Sequence, residues 1–246
     1  MTTATQPRVA ATILVVRDDP FEVLMIARHA DQDFSSALVF PGGLVDASDA
    51  DDAWLPYISD TEGLAAEARA LRIAAFRETY EECGLLLARR RDGTLFDGPV
   101  PSAAADFREL VERCDVVLPL QDLVHYAHWI TPDIVPRRYD THFFLAKAPA
   151  GQVACCDGKE AVDATWVQPQ AALAQAASGA RKIIFPTRMN LGMLAQSSDV
   201  NGALAASRVR TVHTVRPRVE KRETGTFMVI PEGVGYSETE ELRADL

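Results

Sequence analysis

A helical stretch between residues 71 and 85 constrains the fold more than any other part of the chain. Ile73, Phe76, Tyr80 and Cys83 recur at the helical period, and this spacing predicts an apolar stripe along one side of a helix. Such a stripe is stable only when another part of the chain covers it. We therefore expect this helix to pack against the core of a globular domain.

A second face of the same helix carries three carboxylates. Glu78, Glu81 and Glu82 lie three and four positions apart, where like charges repel and add no stability to the helix. A hard divalent cation reverses this sign, because carboxylate oxygens are ligands that Mg²⁺ and Mn²⁺ prefer. Arg77 can reach Glu81 one turn away and orient it, and Gly84 predicts the end of the helix. The alternative is a solvent-exposed acidic helix face.

A Pro-Gly-Gly segment upstream favours a binding site. Pro41, Gly42 and Gly43 follow a short apolar run that ends at Phe40. Glycines at the end of a strand allow the backbone to approach a ligand closely. The segment therefore supplies a second element that a site on the helix would need.

These motifs together resemble the Nudix hydrolase family. Its box contains a glycine, a glutamate and then Arg-Glu-U-x-Glu-Glu-x-Gly-U, where U is bulky and apolar. This chain supplies Gly43, Asp49 in place of the first glutamate, and residues 77–85 with Thr79 at a U position. An insertion at about residues 50–69 separates the two halves of the box. A box split in this way is similar to the family branch that includes peroxisomal coenzyme A diphosphatases.

The resemblance implies an α/β fold, namely an α/β/α sandwich with a mixed central sheet. We expect a single domain over residues 1–246, with a helical C-terminal extension at about 181–246. Strands are predicted at residues 9–17, 21–28, 37–40, 122–131, 140–146 and 160–167. Helices are predicted at residues 64–83, 103–114, 169–177, 187–195 and 202–208. Ser59 and Glu62 match a capping box, which predicts that the insertion lengthens the long helix at its N-terminus.

The resemblance also implies metal-dependent hydrolysis with Mg²⁺ or Mn²⁺. The expected metal ligands are the Gly42 carbonyl and the carboxylates of Glu78, Glu81 and Glu82. Arg77 is expected to orient the catalytic carboxylates. The proton acceptor is one of the helix glutamates or Glu160, which lies where many members of the family carry an acidic residue. The alternative for Glu160 is a solvated loop acid.

The implied substrate is a nucleoside diphosphate linked to another moiety, and coenzyme A or acyl-CoA is favoured by the branch. ADP-ribose or a nucleotide sugar is the runner-up, and a ligand-sensing regulator with this fold is the non-enzymatic alternative. We expect Arg28, Arg137 and Arg138 to bind the substrate, because guanidinium groups pair bidentately with phosphates. A surface turn is the alternative role of Arg137 and Arg138.

Charge and cysteine content limit the partners. A net charge of −10 argues against nucleic-acid binding, which depends on excess Lys and Arg. We expect a small-molecule diphosphate as the partner, with no nucleic acid and no membrane, and a homodimer is compatible with the sequence. The cysteines lack the spacing of a metal finger, and two of them are adjacent, so we expect reduced thiols and a cytoplasmic protein.

Three other features of the local sequence carry predictions. His125 and His128 are expected on opposite faces of a strand, as structural residues rather than metal ligands. The Arg-rich residues 209–229 form either a solvated edge or a tail that folds over the pocket. The apolar residues of the insertion, around Trp54, are expected to bury against the body; they, or Phe143 and Phe144, could also form an apolar wall for the substrate.

Overall fold

The computed structural model describes residues 6–28, 37–101, 106–156 and 161–243. The strands, in chain order, are β1 (Arg8–Arg17), β2 (Glu22–Arg28), β3 (Leu38–Val39), β4 (Gly42–Leu44), β5 (Ile58–Ser59), β6 (Arg89–Arg90), β7 (Val116–Pro119), β8 (Val124–Ile130), β9 (Tyr139–Lys147), β10 (Ala161–Val167), β11 (Thr214–Val215), β12 (Arg218–Arg222), β13 (Gly225–Val229) and β14 (Glu240–Arg243). The α-helices are α1 (Ala66–Cys83), α2 (Phe107–Arg113), α3 (Pro169–Ala177), α4 (Phe185–Leu194) and α5 (Val200–Val209). None of the helices in the described ranges has the length and apolarity that a membrane span requires.

A mixed sheet forms the centre of the fold. Its strands follow the order β10-β2-β1-β9-β8-β11, with β3 paired to β2 and β4 paired to β1. The β1–β9 and β8–β11 pairs are parallel, and the other pairs of this sheet are antiparallel. Strand β1 pairs with β2 near its end and with β4 near its start. This division places the glycines of β4 beside the middle of β1.

Both faces of the sheet are covered, which confirms the expected α/β/α sandwich. Successive side chains of a strand point to opposite faces. Ile13 of β1 accordingly joins the core on the α1 side with Phe76, whereas Leu14 joins the core on the α4 side with Phe185. Helix α1 therefore lies on one face of the sheet, and the C-terminal helices cover the other.

One prediction about the start of α1 is wrong. The capping box at Ser59 and Glu62 does not start α1, because Ser59 belongs to β5 and pairs with Pro119. Asp60 follows with a positive φ of 56°, which no helix interior accepts. The helix therefore begins at Ala66 rather than at residue 64, and residues 66–69 of the insertion lengthen it, as predicted.

The C-terminal extension contains more than the two predicted helices. After α4 and α5 the chain adds β11 to the edge of the central sheet and then forms a separate antiparallel sheet of β12, β13 and β14. The pairing of β13 with β14 joins Val229 to Glu240 and Thr226 to Arg243. The segment interpreted as a basic edge is thus part of a small sheet.

The insertion packs on the protein body through Trp54, as expected. Trp54 is 4% exposed, and its ring centroid lies 5.7 Å from that of Phe107 in α2. Its indole N–H donates a hydrogen bond of 2.9 Å to the carbonyl of Ser48. The Phe107 ring also stacks on Tyr80 of α1 at 5.8 Å. The insertion therefore fixes α1 and α2 relative to each other.

Replacing Trp54 with leucine should lower the free energy of unfolding by about 1–3 kcal/mol, because the indole contacts and its hydrogen bond are lost from a buried position. The matched control is Leu55→Ala, since Leu55 is 53% exposed and its truncation should change stability by less than about 0.5 kcal/mol. Chemical denaturation measures both variants. Equal stability of the Trp54→Leu variant and the wild type would show that the insertion does not support the core.

Candidate active site

Helix α1 carries the predicted apolar stripe and ends where the sequence indicates. Ile73, Phe76 and Cys83 are buried. Thr79, which replaces an apolar residue of the box, is also buried, and its hydroxyl donates to the carbonyl of Ala75 at 2.7 Å. This bond satisfies the hydroxyl inside the helix, so threonine is tolerated there. Gly84 has a φ of 67° and caps the helix.

Arg77 is the hub of a buried charge network. Its Nε and Nη2 donate to the two carboxylate oxygens of Asp49 at 3.0 and 2.9 Å. Its Nη1 donates to Glu78 at 2.7 Å and to Glu81 at 2.9 Å, and Nη2 also donates to the carbonyl of Leu44 at 2.9 Å. The contact predicted between Arg77 and Glu81 is confirmed. One guanidinium thus holds carboxylates from both halves of the split box.

The electrostatics of this network favour the charged form of Arg77. Burial opposes the charge, but the hydrogen bonds with Asp49 and the negative charges of Glu78, Asp49 and Glu81 raise the pKa of Arg77 above its ordinary value. Asp49 is only 1% exposed, so its carboxylate depends on this partner. The sequence singled out Asp49 through its position in the box but did not predict the pairing with Arg77.

Glu78 and Glu82 meet the Pro-Gly-Gly segment directly. The N–H of Gly42 donates to the Glu82 carboxylate at 2.7 Å, and Glu82 is 3% exposed. A Cβ placed on Gly43 would lie 2.5 Å from the carboxylate of Glu78. Because β4 has no side chains at these two positions, the two glutamates of α1 can approach the strand closely.

Glu81 occupies a different environment on the same helix. Its side chain is about half exposed and pairs with Arg77. Burial of the other half raises the pKa of Glu81, although the nearby charge of Arg77 opposes this change. The structure therefore groups Glu78 and Glu82 with Gly42, and it connects Glu81 to them through Arg77.

The donors around Gly42 and Gly43 fit a hard divalent cation. Glu78 and Glu82 offer carboxylate oxygens, and the space that a Cβ of residue 43 would fill is occupied by the Glu78 carboxylate. Mg²⁺ is usually held by one or two carboxylates, waters and substrate oxygens rather than by a closed protein cage. An open arrangement of two buried carboxylates beside a glycine strand agrees with that preference.

Replacing Gly43 with alanine should reduce turnover by about 10²-fold, because the new methyl group displaces the Glu78 carboxylate from the site. The fold should survive, since the atoms that must move are the end of a flexible side chain. Steady-state kinetics and thermal unfolding test this pair of expectations. An alanine variant with full activity would show that the position of Glu78 is not critical.

A cavity of about 690 Å³ opens beside Glu78. It is lined by Glu78, Gly42 and Gly43 and by aromatic side chains of β8, β9 and α4. The aromatic residues that line it are Phe40, Trp129, Tyr139, Phe143 and Phe185. Three arginines also line it, namely Arg8, Arg137 and Arg243. The cavity thus combines apolar walls and cationic groups with the Glu78 carboxylate.

Only one of the three arginines that were predicted to bind the substrate lines the cavity. Arg137 lines the cavity, but Arg28 and Arg138 are not among its lining residues. Arg138 is buried in the turn before β9, where it donates to the carbonyl of Thr131 at 3.1 Å and pairs with Asp133. Arg138 therefore stabilises this turn, as in the alternative interpretation. Glu160 lies outside the described residues.

The cavity walls also differ from the prediction. Phe143 lines the cavity, whereas Phe144 points to the opposite face and packs in the core with α1. Among the residues that the structure describes, none from the insertion lines the cavity. The C-terminal extension reaches the cavity through Pro217, Met228 and Arg243.

The predicted arginines of that extension have other partners. Arg218 and Arg222 pair with Glu220 at 2.9 and 2.8 Å. The side chain of Arg210 donates to the carbonyl of Tyr126. The C-terminal extension does reach the cavity, but the arginine that it contributes is Arg243, which lies outside the predicted residues 209–229.

The prediction that His125 and His128 point to opposite faces is wrong. A register shift in the pairing of β8 with β9 falls between His125 and Ala127, and such a bulge reverses the alternation of side chains. Both rings therefore stack on His142, with centroids 5.2 and 4.0 Å away. Burial, together with neighbouring cationic groups, lowers the pKa of His125 and of His142 to about 4.

Comparisons with known proteins relate this site to characterised families. A family model described as the NUDT19 Nudix domain matches residues 59–191, more than half of the chain. Putative nudix hydrolase 7 of Caenorhabditis elegans is 28% identical over 197 residues, which cover 78% of this chain and 62% of that protein. Acyl-coenzyme A diphosphatase NUDT19 of Homo sapiens is 28% identical over 204 residues, which cover 62% of this chain and 54% of that protein. The chain therefore spans less than two thirds of the length of these relatives.

A solved structure resembles most of the fold. The crystal structure of a NUDIX hydrolase from Alicyclobacillus acidocaldarius has a TM-score of 0.74 and 27% sequence identity. The similarity covers 85% of this chain and 100% of that one. The similarity therefore extends beyond the residues that the family model matches.

Proposed function

The chain belongs to the Nudix hydrolase family, with a domain of the NUDT19 type, and on this premise we propose that it cleaves a diphosphate linkage with Mg²⁺ or Mn²⁺. The proposed substrate is coenzyme A or acyl-CoA, and the products are 3′,5′-ADP and 4′-phosphopantetheine or its acyl derivative. The observation that carries the proposal is the cavity, which joins Glu78 of α1 to aromatic walls and three arginines. The names of relatives such as acyl-coenzyme A diphosphatase NUDT19 add support.

The proposed roles of the residues follow from their positions. Glu78, Glu82 and the backbone of Gly42 would hold the metal ion, which when bound offsets the charge of the diphosphate and lowers the pKa of water. Arg77 orients Glu78 and Glu81 through its Nη1 group. The raised pKa of Glu81 moves its carboxyl towards the range that suits a general base. A carboxylate of this helix or of Glu160 accepts the proton of the attacking water.

The shape and charge of the cavity favour a CoA-type substrate. Coenzyme A combines a 3′-phosphorylated ADP with a long neutral pantetheine arm. The aromatic side chains offer an apolar surface for the arm, as small-molecule sites commonly do. Arg137 and Arg243 are cations that can pair with phosphate oxygens beyond those of the diphosphate. Because the apolar walls would bind the arm and the arginines would bind the additional phosphate, we expect the enzyme to recognise the 3′-phosphate.

The wild type should prefer CoA to dephospho-CoA by about 1–3 kcal/mol, or about 5- to 150-fold in kcat/KM, because charge-assisted hydrogen bonds to one phosphate have this scale. Replacing Arg137 or Arg243 with glutamine should reduce this preference. The matched control is Arg222→Gln, since Arg222 belongs to the same extension but is not among the described residues that line the cavity.

The competing outcomes are distinct. Equal kcat/KM values for the two substrates would show that the 3′-phosphate is not recognised. A clear preference for ADP-ribose over both would contradict the CoA assignment and leave the hydrolysis of diphosphates in place. Binding of these compounds without turnover would contradict catalysis and favour a ligand sensor.

A further inference from the structure

A cluster of histidine and aspartate side chains lies on the face of the sheet that is turned away from the cavity. Thr141 and Phe143 of β9 line the cavity, so the alternate residues Asp140 and His142 point to the opposite face. The bulge in β8 places His128 on that same face, where its ring stacks on His142. The cluster shares this face with α1, because Phe144, the next residue of β9 on that face, packs against the helix, but none of the glutamates of α1 belongs to the cluster.

The ligand atoms of the cluster converge on one carboxylate oxygen. The Nε2 atom of His128 lies 2.5 Å from Oδ1 of Asp140, and the Nε2 atom of His142 lies 3.8 Å from the same oxygen. All three residues offer ligand atoms within 4.8 Å of one another, and no other group of this kind occurs in the described part of the chain. Two imidazole nitrogens and one carboxylate oxygen thus face a common point.

The second nitrogen of each ring also has a partner. Nδ1 of His128 lies 2.8 Å from the hydroxyl of Thr214, and Nδ1 of His142 lies 3.2 Å from Nε2 of His125. Histidines that bind metals usually donate their other ring N–H to such a partner, which fixes the tautomer and the orientation of the ring. The 2.5 Å contact between Nε2 of His128 and Oδ1 of Asp140 is itself a hydrogen bond, so a metal ion would replace its proton while Nδ1 of each ring carries one. The supporting contacts of a metal site are therefore already in place.

We propose that His128, Asp140 and His142 bind a divalent transition-metal ion, best matched by Zn²⁺. Imidazole nitrogens favour Zn²⁺ over Mg²⁺, which prefers oxygen ligands. Three protein ligands leave a fourth tetrahedral position for water. Bound metal would connect β8 to β9 and, through Thr214, to β11 at the start of the strands of the C-terminal extension. This site goes beyond the proposed diphosphatase, whose metal is held by α1.

Nitrogen NMR of the ¹⁵N-labelled wild-type protein tests the site directly. One equivalent of Zn²⁺ should shift the Nε2 resonances of His128 and His142 and leave those of the exposed His213 unchanged. Mg²⁺ should shift none of them, even though it would occupy the glutamate site. Unchanged Nε2 resonances with Zn²⁺, or equal shifts with Mg²⁺, would overturn the proposal.

Affinity measurements supply a second test, which begins with a variant that keeps all three ligands. Thr214→Val is nearly isosteric and removes the partner of His128 Nδ1, so it should weaken Zn²⁺ binding by about 10- to 100-fold. Asp140→Asn should weaken it further, and His213→Gln should have the affinity of the wild type. Competition with a chromogenic chelator measures all of these proteins. Mg²⁺-dependent turnover should be the same in the wild type and in all three variants. Wild-type affinity for Zn²⁺ in both the Thr214→Val and the Asp140→Asn variants would overturn the proposal.

Discussion

Replacing Glu82 with glutamine should reduce turnover by on the order of 10²-fold or more while the protein stays folded. Glutamine keeps the size of the side chain and an oxygen that can accept the hydrogen bond from Gly42. It removes the negative charge that a metal ion requires. The expected result is therefore a loss of kcat, with little change in the free energy of unfolding.

The matched control is Glu67→Gln, because Glu67 is an exposed carboxylate in the first turn of the same helix. This variant should retain full activity, which separates the loss of a site carboxylate from the loss of helix charge. Near-normal turnover in a folded Glu82→Gln protein would remove α1 from the mechanism.

Replacing Arg77 with methionine should lower the free energy of unfolding by about 3–5 kcal/mol, because it leaves a buried carboxylate without its partner. Asp49 is the carboxylate concerned, since it is 1% exposed and bonded twice by the guanidinium. Denaturant unfolding measures the loss. Activity should fall as well, because Glu78 and Glu81 lose the group that orients them.

An exposed pair of the same chemistry is the control for this prediction. Arg91 and Asp115 are 2.6 Å apart with side chains 50% and 78% exposed, so Arg91→Met should cost no more than about 1 kcal/mol. Adding Asp49→Asn to Arg77→Met should restore part of the lost stability, because the uncompensated charge is removed. Similar losses in the Arg77 and Arg91 variants would show that burial of the network contributes nothing.

Features encoded by neighbours along the chain were predictable from the sequence. The stripe of α1, the contact from Arg77 to Glu81 and the stop at Gly84 depend on residues at most one turn apart, and the structure contains all three. Helix α3 also has the predicted bounds, because Pro169 marks its first turn. Local periodicity and capping chemistry are sufficient for such features.

Features that depend on distant pairing could not be predicted in the same way. The bulge in β8 is visible only in its pairing with β9, and it brings His125 and His128 to one face. Arg243 reaches the cavity from the last described strand, β14, which pairs with β13. Neither the register of a strand nor its destination follows from its own residues.

The role of Asp49 lies between these two cases. Its place in the split box was apparent from the sequence, but its bidentate pairing with Arg77 spans the whole insertion. The insertion packs Trp54 on Phe107 of α2, and the Phe107 ring in turn stacks on Tyr80 of α1. An aspartate with one methylene fewer than glutamate therefore still reaches the guanidinium in this fold.

The most direct test of the proposed function is the mass of the products formed from CoA. The wild type is incubated with CoA and with ADP-ribose in Mg²⁺ or Mn²⁺, with and without a chelator, beside the Glu82→Gln variant. The account predicts metal-dependent formation of 3′,5′-ADP and 4′-phosphopantetheine, lost with chelator and strongly reduced in the variant. Intact CoA under all conditions, or the same products from the chelated enzyme, would contradict it.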